Sequence, residues 1–419
     1  MIKKLSLLIT LTYIIISFWT VEARDYSQLD KKLNVIFEKI SEKWKVKQIK
    51  IFNKFINKID IFIEENPEKT ELAMYLKSNF EQQLKLLNTV AQIDMKSKET
   101  LILRFWNTGD HIAMIHDNIE KIKSAKSIFL FRKSVNLSSE NLKEITSTIK
   151  SIQPNIIFFI DQEWWIINRF TPYQSYFNIE DYMKVWFVYS RYIELNQWDK
   201  NILLWLFRDK KYFPSMEDIW KKYKKISKNN QKIYLELIAY FQLKMLSDHG
   251  INTHGLIADL DRWNPAISWL WRSFSSNIYE YKLMIDAYIL AAKEINIMLY
   301  LKHFPWHGAG NIDSHTGILN YKWEEKYIKE NLEIFDYFFK NKNWMNLWVM
   351  VGHMFIPESL KDNFNSILDK SDFILTDDLA MWWYKLAKTI PDSLFFSTVE
   401  IEKRNNLIIV NTKNQIGIK

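Results

Sequence analysis

Residues 126–161 read KSIFLFRKSVNLSSENLKEITSTIKSIQPNIIFFID, and this stretch decides the fold class. Ile128 to Phe131 is a short apolar run, and Ser138 and Ser139 follow as helix-capping residues. Leu142, Ile145 and Ile149 then recur at helical spacing before a second apolar run, Ile156 to Ile160, which ends at Asp161. A strand, a helix with one apolar face and a second strand make the right-handed crossover unit of a parallel sheet. Working outward, further candidate strands are Leu101 to Phe105, Leu256 to Ala258, Ile297 to Leu301, Leu347 to Val351, Phe373 to Leu375 and Leu407 to Val410. Eight such units predict an α/β fold, a (β/α)8 TIM-type barrel. The segment 171–250 is too long for one crossover and predicts an inserted helical lid or rim.

The amino-terminal part has another texture. Lys3 and Lys4 precede an apolar run from Leu5 to Phe18, and Val21 and Ala23 form a small-residue cleavage pattern ahead of Arg24. Residues 1–23 are therefore expected to be a signal peptide or membrane anchor, which predicts export and is the route of any membrane association. Residues 24–92 show helical stripes, such as Leu29, Leu33, Ile36, Phe37 and Ile40, and predict a small α-helical region ahead of the barrel.

Composition narrows the chemistry. The absence of cysteine excludes disulfides and thiol catalysis. The net charge of +8 is spread among interleaved Lys and Glu, which fits a solvated surface and not a nucleic-acid groove. Glycine is the anomaly. There are 8 glycines in 419 residues, against roughly 29 at average usage of about 7%, while tryptophan reaches 18. One explanation covers both counts: many tryptophans stand where glycines should be, as happens when a UGA codon that the cell reads as glycine is rendered tryptophan. UGG codons at Trp164, Trp165 and Trp306 would refute it. Genuine tryptophan as a sugar-stacking platform is the competing explanation.

Polar residues track the strand ends: Asp161, Asp259, Lys302, His353 and Asp377 each come just after a candidate strand, where a barrel carries its active face. The richest cluster runs from Lys302 through His303, Pro305, Trp306 and His307 to Asp313 and His315. It includes metal-ligand types, but Pro305 keeps His303 and His307 off a shared helical face.

The strings DQEWWIINRF (161–170), WRSF (271–274), KHFPWHGAGNIDSH (302–315) and TDDLAM (376–381) resemble glycoside hydrolase family 3. Within it they are most similar to the single-domain β-N-acetylhexosaminidases. Residues 95–419 would then be the barrel, with its insertion within about 171–250. The resemblance implies Asp377 as nucleophile and His315 as general acid and base, with Asp313 as its dyad partner. An imidazole beside a carboxylate can protonate a leaving oxygen and later deprotonate water. It further implies that Asp161, Arg169, Arg272, Lys302 and His303 hold the hydroxyls of a non-reducing N-acetylglucosamine, and that neither metal nor cofactor is needed. His307 is expected to brace the turn, Asp378 to be structural, and His353 to be either a core histidine or near the site.

Trp164, Trp165 and Trp306 fall on glycines of the family motifs, and Trp382 and Trp383 come under the same question. Ile166 departs from the family's arginine, and the chain ends nine residues after Val410, too soon for a full closing helix. The implied activity is exo-acting, retaining β-N-acetylglucosaminidase on peptidoglycan fragments or chito-oligosaccharides. The alternatives are a β-N-acetylglucosaminide phosphorylase, or a non-catalytic wall-binding barrel if the tryptophans are genuine.

Overall fold

Parallel β-ladders organise the larger part of the chain. The computed structural model describes helical residues at 53, 56–57, 59–61, 74 and 77, and then residues 101–105, 111–132, 138–160, 162–163, 178–207, 214–262, 264, 267–309, 325–341, 347–352, 355–376, 394–396, 407–408 and 415–416. The chain divides into two compact units, residues 1–93 with 342–345, and residues 94–341 with 346–419. In the first, Lys77 Nζ donates to Asp60 Oδ1 at 2.6 Å. The expected leader, residues 1–23, lies outside the described residues.

In the larger unit the strands are β1 (Leu101–Phe105), β2 (Ser127–Arg132), β3 (Ile157–Ile160), β4 (Thr253–Ile257), β5 (Met298–Phe304), β6 (Leu347–Val351), β7 (Phe355–Pro357), β8 (Phe373–Thr376), β9 (Leu394–Phe396), β10 (Leu407–Ile408) and β11 (Gln415–Ile416). Two parallel sheets have the orders β11-β1-β2-β3 and β10-β8-β6-β5-β4, and β7 pairs β9 antiparallel. The eight expected strands are present. Instead of a ladder, side chains join β3 to β4. Asn252 Oδ1 accepts from Phe158 N at 2.8 Å, Asn252 Nδ2 donates to Ile156 O at 3.0 Å, and Thr253 Oγ1 donates to Phe158 O at 2.6 Å.

Strands β3 and β6 are continuous apolar runs because they are covered on both faces. On one face Phe159 of β3 meets Trp348 of β6 at 5.6 Å between centroids, and Tyr300 of β5 at 5.9 Å. Strands three places apart in a flat sheet lie about 14 Å from one another, so this contact requires strong curvature. Gly255 in β4 makes room for it, since a Cβ there would lie 2.4 Å from the Tyr300 ring. Each fully buried ring contributes about 2–3 kcal/mol. The expected α/β class is observed; among the described residues, no pairing joins β10 to β11.

Helices cover the other face. Ser138 caps Ser139–Ile152, its Oγ accepting from Asn141 N at 3.1 Å, and Leu142, Ile145 and Ile149 are buried as the spacing requires. Between β3 and β4 the described residues form helices, Ile179–Met183, Trp186–Glu194, Gln197–Phe207 and Met216–Tyr223 ahead of the long helix Gln231–Asp248, which packs on Ile278–Ile295. No described helix is long and apolar enough to cross a membrane.

Candidate active site

The carboxyl ends of β3, β4 and β5 bring together two buried carboxylates and three of the expected sugar-binding residues. Asp259 follows β4 by two residues and is fully buried. Its Oδ1 accepts from the backbone N–H of His307 (2.7 Å) and Gly308 (3.2 Å), and its Oδ2 from His303 N (3.1 Å) and His303 Nδ1 (2.8 Å). One side chain thus pins the whole segment His303–Gly308 to β4 through charge-assisted bonds. Burial pushes the Asp259 carboxyl up, but the hydrogen bond and charge of His303, then His307 and Arg272, outweigh it and hold it below the usual range. His303 Nδ1 faces Asp259 Oδ2, and its Nε2 lies 3.4 Å from Arg272 Nη2.

Glu163 is the second carboxylate. Its Oε1 meets Lys302 Nζ at 2.6 Å and Arg272 Nη2 at 2.8 Å, and Arg272 Nε donates to Oε2. Burial again raises the carboxyl, but Arg272 and Lys302 prevail and hold it well below the ordinary carboxylate range. Two cations against two carboxylates leave the cluster balanced, as burial of charge demands. The arrangement holds N–H donors in fixed directions, which suits recognition of vicinal hydroxyls.

Around it, Asn331 bridges two loops, accepting from Leu260 N (3.1 Å) and donating to Pro305 O (2.9 Å). His307 braces the turn through its backbone and packs edge-on against His303, 5.0 Å between ring centroids. The peptides Lys302–His303 and Phe304–Pro305 are cis.

Three expectations change. Lys302 lies inside β5 and not after it, because the strand continues past an irregularity between Leu301 and Phe304 to the proline. Arg272 has Glu163 as its ion-pair partner, so its guanidinium is already oriented before any ligand arrives. At Trp306 the backbone is not left-handed, so conformation does not demand glycine there. Crowding is the issue instead: the indole is fully buried and a Cβ on Gly308 would lie 2.3 Å from its Nε1. A buried indole presents no face for sugar stacking.

Asp161, Arg169, Asp313, His315, His353, Asp377 and Asp378 lie outside the described residues, as do Trp164, Trp165, Ile166, Trp382 and Trp383. Sequence reasoning gave no role to Glu163 and placed Asp259 only at a strand end on the active face. The signal was there for Glu163: it stands three residues past β3 in the DQEWW string, and the clustered cations Arg272 and Lys302 need an anion. Among the described residues, no three His, Asp or Glu side chains are grouped to hold a metal ion.

Residues 227–380, which carry this cluster apart from Glu163, match the family model described as glycosyl hydrolase family 3 N terminal domain. The chain resembles glycoside hydrolase family 3. Its fold is similar to native NagZ from Neisseria gonorrhoeae, with a TM-score of 0.52 and 17% identity over 75% of this chain and 82% of that one. The same protein in complex with N-trifluoroacetyl-D-glucosamine gives 0.50 and 17%, over 75% and 81%. A family 3 β-N-acetylglucosaminidase from Paenibacillus gives 0.47 and 16%, over 77% and 54%. No curated protein matches the chain.

Proposed function

We propose that this chain is an exo-acting, retaining β-N-acetylglucosaminidase. The observation that carries the reading is the buried Lys302–Glu163–Arg272 and His303–Asp259 cluster at the carboxyl ends of three parallel strands. There its cations coincide with the residues that the family motifs assign to the sugar. Asp377 attacks the anomeric carbon while His315, oriented by Asp313, protonates the departing oxygen; His315 then takes a proton from water, which releases the sugar from Asp377. Asp161 and Arg169 complete the hydroxyl contacts. Peptidoglycan fragments or short N-acetylglucosamine oligosaccharides are the substrate class.

The same reading includes a closed barrel. β10 runs parallel to β8 and β11 parallel to β1, with only residues 409–414 between them. The proposal also includes export through residues 1–23.

Release of the chromophore from a chromogenic N-acetyl-β-glucosaminide, run in phosphate buffer and in buffer without phosphate, tests the function. Free N-acetylglucosamine in both buffers supports hydrolysis. Sugar phosphate identifies a phosphorylase, and binding without turnover identifies a non-catalytic wall-binding protein.

A further inference from the structure

Two helices and one turn end on a left-handed residue, and in the turn that residue is out of place. After Gln231–Asp248, Gly250 N–H donates to Ser247 O (2.9 Å) and Ile251 N–H to Leu246 O (3.0 Å), with Gly250 at φ +78°. After Ile278–Ile295, Ile297 N–H donates to Ala292 O (3.1 Å), with Asn296 at φ 61°. In the loop after β4, Trp271 N–H donates to Ser268 O (3.1 Å) and Arg272 N–H to Ile267 O (3.0 Å), with Trp271 at φ 56°. The paired bonds at Gly250 and at Trp271 define a Schellman ending, whose left-handed position takes glycine and, less often, asparagine. Any other side chain brings Cβ against a carbonyl oxygen, and a bulky one there is a genuine outlier. The Trp271 side chain is 46% exposed, so core burial does not hold it in this conformation.

The position matters because the bond that closes the motif is donated by the backbone N–H of Arg272, whose guanidinium is held on Glu163. The torsion at 271 therefore sets the direction from which Arg272 enters the site. We propose that position 271 is a positioning residue for Arg272 and that the cell making this protein places glycine there, reading UGA as glycine. The excess of 18 tryptophans over 8 glycines fits the same cause. Not every tryptophan is such a stand-in: Trp220 uses its indole N–H to donate to Glu280 Oε2 at 2.8 Å.

The kinetic part rests on the proposed glycosidase function; the remainder does not. The test compares the full chain with Trp271→Gly, Trp271→Asn and Trp271→Ala. Tm rises by about 2 °C for glycine, less for asparagine, and stays flat for alanine, which keeps the Cβ. KM for the chromogenic substrate falls with kcat unchanged in the glycine form, and asparagine recovers part of that gain. Mass spectrometry of the protein from its own cells finds glycine in the peptide containing position 271. Tryptophan in that peptide overturns the decoding, and equal gains from alanine and glycine overturn the positioning role. The kinetic comparison is made with glycine also at 164, 165 and 306; if no form then turns over substrate, the glycosidase reading fails, while the melting order and the native peptide still decide this inference.

Discussion

Glu163→Gln removes the carboxylate that pairs with both Lys302 and Arg272, where all three side chains are buried, with exposures of 1%, 3% and 7%. Breaking a buried ion pair from one side costs about 3–5 kcal/mol, because the remaining charge stays desolvated. Glutamine keeps one acceptor oxygen and so recovers about 1 kcal/mol. The expected loss is about 3 kcal/mol, which lowers the urea midpoint by about 1 M at a slope of about 3 kcal/mol per M. The pH dependence adds a second signature. Arg272 and Lys302 hold the folded carboxyl below its unfolded value of 4.5 against the opposing effect of burial, so its contribution is complete above 4.5. It is lost as pH falls through the lower folded value. The gap between wild type and variant should therefore be constant at neutral pH and close in acid. A loss under about 1 kcal/mol with parallel acid profiles would refute an ionised Glu163 and the orientation of Arg272 that depends on it.

Asp259→Asn turns an NH2 group toward N–H donors now received by a carboxylate; about 2–3 kcal/mol of stability should go, with a rise in KM, as read by denaturant titration and steady-state kinetics. His254 is driven down to about 3, by burial first and by Lys302 second, with Glu163 opposing. The unfolded chain takes its proton near 6.5 while the folded one does not, so stability is complete above 6.5 and falls between there and about 3. His254→Phe should flatten the stability profile in that window, as measured by urea midpoints across pH. The gene should carry UGG at Trp220, whose indole is a hydrogen-bond donor, and UGA at Trp271; sequencing the DNA settles both.

Much of the fold was legible because the strands are uninterrupted apolar runs and the helices keep period: Ile156 to Ile160 and the stripe Leu142, Ile145, Ile149 required no tertiary information. The position of Lys302 within β5 was not, because a strand extending past an irregularity leaves no mark in the hydrophobic pattern. Arg272 was legible as a sugar contact only through a family motif, since alone it reads as one half of a structural salt bridge. Glu163 and Asp259 were harder still. Their work is holding other residues, and that shows only when three strand ends are brought side by side. Trp271 reverses the case of Trp306: the sequence drew attention to 306, while the torsion that demands glycine lies at 271.

The most direct measurement is hydrolysis of a chromogenic N-acetyl-β-glucosaminide by the protein carrying glycine at 164, 165, 271 and 306, beside the same form with Asp377→Asn. The account predicts release of free N-acetylglucosamine with retained configuration by the first and none by the second. Equal release by the two forms, or none by the first, would contradict it.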